Sequence, residues 1–264
     1  MRILVIDGSP RKGNTWKVVR LIEKEMKRRN SNIKFHELTL SDLKLPLCCG
    51  CSNCFRTGHK SCPHNKQVQM VLDELEACDG FIFAASCYQG ALPAISKNLT
   101  DHLAFLLHRP RYFKKKALAI STTGGVSAGC VTKSIANTVA GWGVNHCAKL
   151  PIVAFSWNDY KPTKKQRRKI RKVATEFYDE VASRKLHPVK IGPMIPFNLF
   201  RAMSKDYMPG SEYPTEDGVF WQQYQGMVYA KGIPIPVYKR VFGWLLYWVG
   251  RQVSQKRIVS YKKN

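Results

Sequence analysis

Apolar positions along the chain follow two patterns in turn. Short unbroken runs, Ile3-Leu4-Val5-Ile6 within residues 2–7 and Phe81-Ile82-Phe83-Ala84-Ala85 within 80–85, are bounded by turn residues and read as strands buried on both faces. Residues 117–121 and 147–155 read as strands too, and 33–40 alternates through Ile33, Phe35, Leu38 and Leu40. Between these runs the period becomes helical. In 15–29, Val18, Val19, Leu21, Ile22 and Met26 form a stripe, and Lys17, Arg20, Lys24, Lys27 and Arg28 take the water side. Helical patterns follow at 67–77, 93–107, 131–140 and 163–184, the last with Ile170, Val173, Phe177 and Val181 as its apolar side. Strands alternating with helices predict an α/β chain with a doubly wound five-stranded parallel sheet. With a turn suited to anions after the first strand, the expected order is 2-1-3-4-5, with ligands at the carboxyl ends of the strands.

The alternation stops near residue 188, so 1–188 is read as one α/β unit and 189–264 as an extension. The extension is rich in proline and aromatic residues and contains an apolar run at 241–250, flanked by Lys239-Arg240 and by Arg251, Lys256, Arg257, Lys262 and Lys263. Ten residues cannot cross a bilayer. The expectation is an interaction arm rather than a second catalytic domain: a cap on its own α/β unit, a dimer arm, or a segment on an anionic membrane surface.

Charge sharpens this picture. Lys and Arg number 43 against 18 Asp and Glu, a formal charge of +25, which calls for acidic partners of some kind. Nucleic acid is disfavoured, because the basic residues are spread over most helices and no reading motif accompanies them. The chain opens directly on a strand, so no signal peptide and a cytoplasmic place, at most peripheral to a membrane, are expected. Nine cysteines in that setting point to metal or redox chemistry rather than a disulfide framework.

The candidate chemistry lies in four loops. The first, Gly8-Ser9-Pro10-Arg11-Lys12-Gly13-Asn14-Thr15, joins a strand to a helix N-terminus, where free N–H groups and the helix dipole favour an anion. It is neither G-x-G-x-x-G nor a loop ending in G-K-[ST], and the plainer alternative is a turn with Thr15 as N-cap. Ser86-Cys87-Tyr88-Gln89-Gly90 follows the third strand, and Ser121-Thr122-Thr123-Gly124-Gly125 follows the fourth. Its two glycines let the backbone approach a flat ligand. The fourth loop carries Cys48, Cys51, Cys54 and Cys62 in the spacing C-x2-C-x2-C-x7-C, with Cys49 extra. Four thiolates on a compact loop suit a [4Fe–4S] cluster, a redox-active thiol loop or, with less typical spacing, zinc. Cys78, Cys130 and Cys147 are expected in the core, and His59 and His64 in solvent. No Ser-His-Asp set, paired-carboxylate site or H-E-x-x-H motif is evident.

The first loop resembles the FMN phosphate loop of the flavodoxin-like NAD(P)H-dependent FMN reductases, commonly G-S-P-R-x-x-x-T, without a gap. The loops after strands three and four are similar to the family's S-P-x-Y and T-x-G-G segments, with Cys87 where the proline usually stands. The resemblance implies a flavodoxin-like fold and bound FMN. The phosphate would lie at Ser9, Arg11, Lys12, Gly13, Asn14 and Thr15, and the ring at Ser86, Cys87, Tyr88, Gln89, Gly90, Thr122, Thr123, Gly124 and Gly125. The cysteine loop is similar to the cluster motif of iron–sulfur flavoproteins, and equally to a P-C-x-G-C-x-x-C loop in reductases without a proven cluster. Leu47 replaces the usual proline, and Asn65-Lys66 the usual acidic pair. The implied activity passes electrons from NAD(P)H or a reduced carrier to a quinone, nitro compound, other small acceptor or partner protein. The alternative is a non-enzymatic FMN/iron–sulfur electron carrier. A homo-oligomer is expected from the family.

Overall fold

Alternate side chains of a strand point to opposite faces of its sheet, and here that rule sorts the core into two layers. Ile3, Val5, Ile82, Ala84, Leu118 and Ile120 enter one layer, whereas Leu4, Ile6, Phe81, Phe83, Ala117 and Ala119 enter the other. The structure is a computed structural model and describes residues 1–157 and 159–256. Its single sheet comprises β1 (Arg2–Asp7), β2 (Lys34–Thr39), β3 (Gly80–Ser86), β4 (Lys116–Thr123) and β5 (His146–Val153). All pairings are parallel and the order is 2-1-3-4-5, the expected flavodoxin-like arrangement.

One face of the sheet is covered by α1 (Asn14–Arg29), and α2 (Leu40–Leu43) adds Leu40 and Leu43 to the layer on the other. A short α3 (Asn53–Arg56) lies in the cysteine loop, followed by α4 (Asn65–Ala77), α5 (Ala94–His102), α6 (Phe105–His108) and α7 (Ala128–Gly141). The long α8 (Lys164–Ser183) joins α1, and Thr163 and Gln166 form a capping box at its start. The helix expected at 93–107 is two pieces. At Ala104 and Leu106 the bonds run to residues three back, so the helix tightens and turns while Leu103, Phe105 and Leu106 stay buried. Cys130 is exposed rather than in the core, because it precedes Val131 on α7 and lies about 100° round from the face made by Val131, Ile135 and Val139.

Beyond residue 188 the chain folds into α9 (Ile191–Met203), α10 (Glu216–Gln222) and α11 (Val237–Lys256). Phe197, Trp221, Tyr229 and Ile233 form a separate apolar cluster, into which Phe113 from the loop before β4 inserts. The helices α9 and α11 run side by side in the same direction. Lys239 Nζ donates to Val189 O (2.7 Å) at one end, and Arg251 Nη1 to Ala202 O (3.1 Å) at the other. A Cβ at Gly243 would come within 2.9 Å of Val228 Cβ, and one at Gly250 within 2.8 Å of Ala202 Cβ. These two glycines, seven residues apart, define the packed face of α11. Arg257, Lys262 and Lys263, among the expected basic flank, lie outside the described residues. No helix among the described residues is long and apolar enough to cross a membrane.

A buried ion pair joins the extension to the α/β unit. Arg109, which follows α6, pairs with Asp217 on α10, and His108 Nδ1 lies 2.7 Å from the other carboxylate oxygen of Asp217. Arg109 also donates to Cys54 O at 2.5 Å. Both members of the pair are almost wholly inaccessible. Asp217→Asn leaves a buried guanidinium without its counter-charge and should lower stability by about 3–5 kcal/mol. Urea denaturation followed by tryptophan emission measures this, and an unchanged midpoint would show that the pair is structurally idle.

Candidate functional site

The carboxyl edge of the sheet is set by a close approach at Gly8. A Cβ there would lie 2.1 Å from Ser96 Oγ and 2.9 Å from Phe83, so any larger residue would push β1 off β3 and α5. Gly8 N donates to Ala84 O (2.7 Å), and Ser96 Oγ donates back to Gly8 O (2.7 Å). The chain then loops through residues 9–13 into α1. The N-cap of α1 is Gly13 and no side chain among the described residues caps it, so the first-turn N–H groups are open to the space beyond the strand ends. Thr15 is not the cap. Its buried hydroxyl lies 2.7 Å from Thr122 Oγ1 and ties α1 to the end of β4. Ser9 Oγ accepts from Ser86 N (3.0 Å), tying the same loop to β3.

Eleven of the fifteen residues expected at the flavin line one cavity of about 240 Å³: Ser9, Arg11, Gly13, Asn14, Thr15, Ser86, Cys87, Tyr88, Thr122, Thr123 and Gly124. The remaining four stand just outside. Lys12 lies over the Trp16 ring and pairs with Glu37 at 3.2 Å. Gln89 and Gly90 form the positive-φ turn (53° and 75°) of a small bridge in which Tyr88 and Ala91 exchange backbone bonds. Gly125 N donates to Thr123 Oγ1 (3.3 Å), and a Cβ on Gly124 or Gly125 would meet nothing within 4 Å.

Ser156 and Trp157 also line the cavity, and sequence reasoning missed them. Asn14 Nδ2 donates to Ser156 O (2.7 Å), and Trp157 is 94% exposed. The available signal was topological: the loop after β5 ends at the same edge as those after β1, β3 and β4.

The residues fit FMN. An uncapped helix N-terminus, the Ser9 and Thr15 hydroxyls and the Arg11 cation suit a phosphate. Open space over Gly124 and beside Tyr88 suits a flat ring, and the buried Ser86 Oγ has no partner among the described residues.

The cysteine loop makes a second cavity of about 350 Å³ lined by Cys48, Cys49, Cys51, Cys54 and Cys62. Asn98 on α5 holds its start, accepting from Cys48 N (3.0 Å) and donating to Leu45 O and Pro46 O. Burial pushes the Cys54 thiol up to about 11, while the nearby Arg109 acts in the opposite direction. His59 and His64 are half-buried rather than in solvent. His59 stacks on Phe105 (5.2 Å), and burial lowers its pKa. His102 Nδ1 donates to Asn98 O (3.0 Å), and its Nε2 lies within hydrogen-bond distance of His64 Nδ1 (3.0 Å). The ligand atoms of Cys62, His64 and His102 all lie within 4.8 Å of one another. The donor set fits a metal centre, either four thiolates around a cluster or a Cys/His set around a single ion.

A parallel 2-1-3-4-5 sheet with this edge defines a flavodoxin-like flavoprotein. Residues 1–158 match the family model described as NADPH-dependent FMN reductase, and the chain belongs to that family. It is an FMN-dependent oxidoreductase. An iron–sulfur flavoprotein of Clostridioides difficile is 31% identical over 190 residues, covering 72% of this chain and 83% of the relative. Among solved structures, an FMN-dependent NADH-azoreductase from Bacillus anthracis in complex with FMN shares the fold at a TM-score of 0.50 and 13% identity, covering 66% of this chain and 98% of that one. An oxidoreductase from Corynebacterium diphtheriae does so at 0.51 and 14%, covering 69% and 97%.

Asp7, fully buried below the first loop, accepts from Ser9 N (3.1 Å) through Oδ1, while Oδ2 has no partner among the described residues. Burial raises its pKa to about 6, above the ordinary 3.8. A raised carboxyl pKa means that the fold tolerates the protonated form and penalises the charged one. Its favourable contribution is therefore complete below about pH 4 and is lost as pH rises through 6. Asp7→Asn keeps the acceptor for Ser9, and should make the apoprotein more stable than wild type by about 2–3 kcal/mol at pH 7, with the difference vanishing near pH 4. Thermal or urea unfolding at the two pH values checks this. A pH-independent difference would mean that folding leaves the Asp7 pKa unshifted.

Proposed function

We propose that the first cavity binds FMN and the second a [4Fe–4S] cluster, and that the chain carries electrons from NAD(P)H to a small acceptor through these two centres. One observation carries the FMN part: three loops from separate parts of the chain meet at a single cavity over an uncapped helix N-terminus. Bound FMN supplies the hydride-accepting and single-electron chemistry. The phosphate would be held by Ser9, Arg11, Gly13, Asn14 and Thr15. Charge-assisted hydrogen bonds there contribute about 1.5–3 kcal/mol each. The backbone of Thr123 to Gly125 would donate to the ring's carbonyl edge, and Tyr88 and the exposed Trp157 would cover its sides and exclude water. Cys48, Cys51, Cys54 and Cys62 would hold the cluster, with Cys49 left over, since adjacent side chains on an extended backbone diverge. The 31%-identical relative named an iron–sulfur flavoprotein supports this assignment. The Cys62–His64–His102 trio favours a competing reading of the same cavity, a single zinc ion.

Anaerobically purified protein with flavin and metals quantified tests the proposal. The expected result is one flavin and about four irons per chain with broad visible absorption. Arg11→Ala should weaken FMN binding roughly tenfold or more. Cys62→Ser should lose the iron and Cys49→Ser retain it. Zinc without iron would replace the cluster by the single-ion reading, and full flavin retention in both Arg11→Ala and Thr15→Ala would remove the phosphate assignment. NAD(P)H oxidation with artificial acceptors separates an enzyme from a pure carrier.

A further inference from the structure

The helix α11 is apolar on two opposite sides, and only one of them is covered. Gly243 and Gly250 lie against Met194, Val228, Leu199 and Ala202, which fixes the inner side. At 3.6 residues per turn, Val237, Val241, Trp244, Leu245 and Trp248 share about a third of the circumference, directly opposite those glycines. Their exposures run from 46% at Trp244 to 77% at Val237. Ile191 and Ile195 on the adjacent α9 are exposed as well. A contiguous exposed apolar patch of this kind marks an interaction surface.

The charges around the patch select its occupant. Between residues 189 and 264 there are eleven Lys and Arg against four Asp and Glu, and α9 and α11 contain no acidic residue. Those four acids all lie at 206–217, where Asp206 pairs with Arg251 and Asp217 with Arg109. Lys190 and Arg240 are exposed near the start of the two helices. A second copy docking through the same patch would bring one positively charged rim against another, since a two-fold interface is self-complementary. An anionic bilayer supplies both requirements, acyl chains for the apolar side chains and headgroups for the cations. Tryptophan and tyrosine, represented here by Trp244, Trp248 and Tyr238, suit the boundary between them.

We infer that the exposed face of α11, with the neighbouring edge of α9, seats the protein in the interface of an anionic membrane. The helix lies in the membrane plane and does not cross it. Flotation of the full flavin-loaded chain with lipid vesicles tests this. Binding is expected to vesicles containing phosphatidylglycerol, to weaken with salt, and to be absent from pure phosphatidylcholine. The exposed-site double variant Val241→Ser/Trp248→Ser should lower the bound fraction at least tenfold, with flavin content and melting temperature unchanged. Wild-type tryptophan emission should be quenched by bromine-bearing anionic lipid, a readout that needs no variant. Failure of the wild-type chain to float, or flotation unaffected by the double substitution, overturns the inference. So does a wild-type dimer that ignores vesicles and dissociates in the double variant, which would assign the patch to a second copy. Flavin content is measured in every arm, so loss of the FMN reading is distinguishable from loss of this one.

Discussion

The absence of a side chain at Gly8 is the constraint on which the candidate flavin site depends. Backbone from β1 and β3 and the Ser96 hydroxyl of α5 meet around that one Cα, leaving no room for a Cβ. Because β1 leaves the sheet this close to β3, Ser9 reaches the amide of Ser86, and Thr15, in the first turn of α1, reaches Thr122. The first loop and the loops after β3 and β4 are thus held together by hydrogen bonds among themselves. No side chain among the described residues caps the first turn of α1, and Gly13, Asn14 and Thr15 at its start line the cavity. Positioning of this kind allows a cofactor with its own chemistry to work without a catalytic side chain.

The cysteine loop is held in a different way. It has little regular structure, and its anchors come from outside: Asn98 at its beginning and Arg109 at the carbonyl of Cys54. Arg109 is in turn held by Asp217, so the extension fixes the loop through a buried charge. His108 lies between Phe55 of the loop, tilted at 4.4 Å, and Phe200 of α9, stacked at 3.9 Å. The C-terminal helices therefore act as a brace for the thiols as well as carrying the outward apolar face of α11.

Much of this was legible in the sequence because buried parallel strands leave unbroken apolar runs, and because the loops at their carboxyl ends carry glycine, hydroxyls and arginine in tight spacing. What was not legible depends on contacts between distant segments. Lys12 stands in the phosphate-loop pattern, yet Glu37 and Trp16 hold it aside. His64 carries no ligand-like spacing, and only the fold of α5 brings His102 to it across 38 residues. Trp157 lacks a motif, and its place at the cavity follows from the sheet topology alone. The extension reads as an arm because it is rich in proline and aromatic residues and carries a cation-flanked apolar run. Its aromatic residues gather with one another and with Phe113 in a tertiary cluster that no local pattern announces.

The uncapped N-terminus of α1, with Ser9, Arg11 and Thr15, is the phosphate site that we propose. The most direct measurement is a comparison of FMN and riboflavin binding to the apoprotein by fluorescence titration, since the two ligands differ only in that phosphate. Two or more charge-assisted hydrogen bonds predict that FMN binds at least a hundredfold more tightly. Equal affinities would contradict the account, because the flavin would then be held without the one feature that the first loop is built to supply.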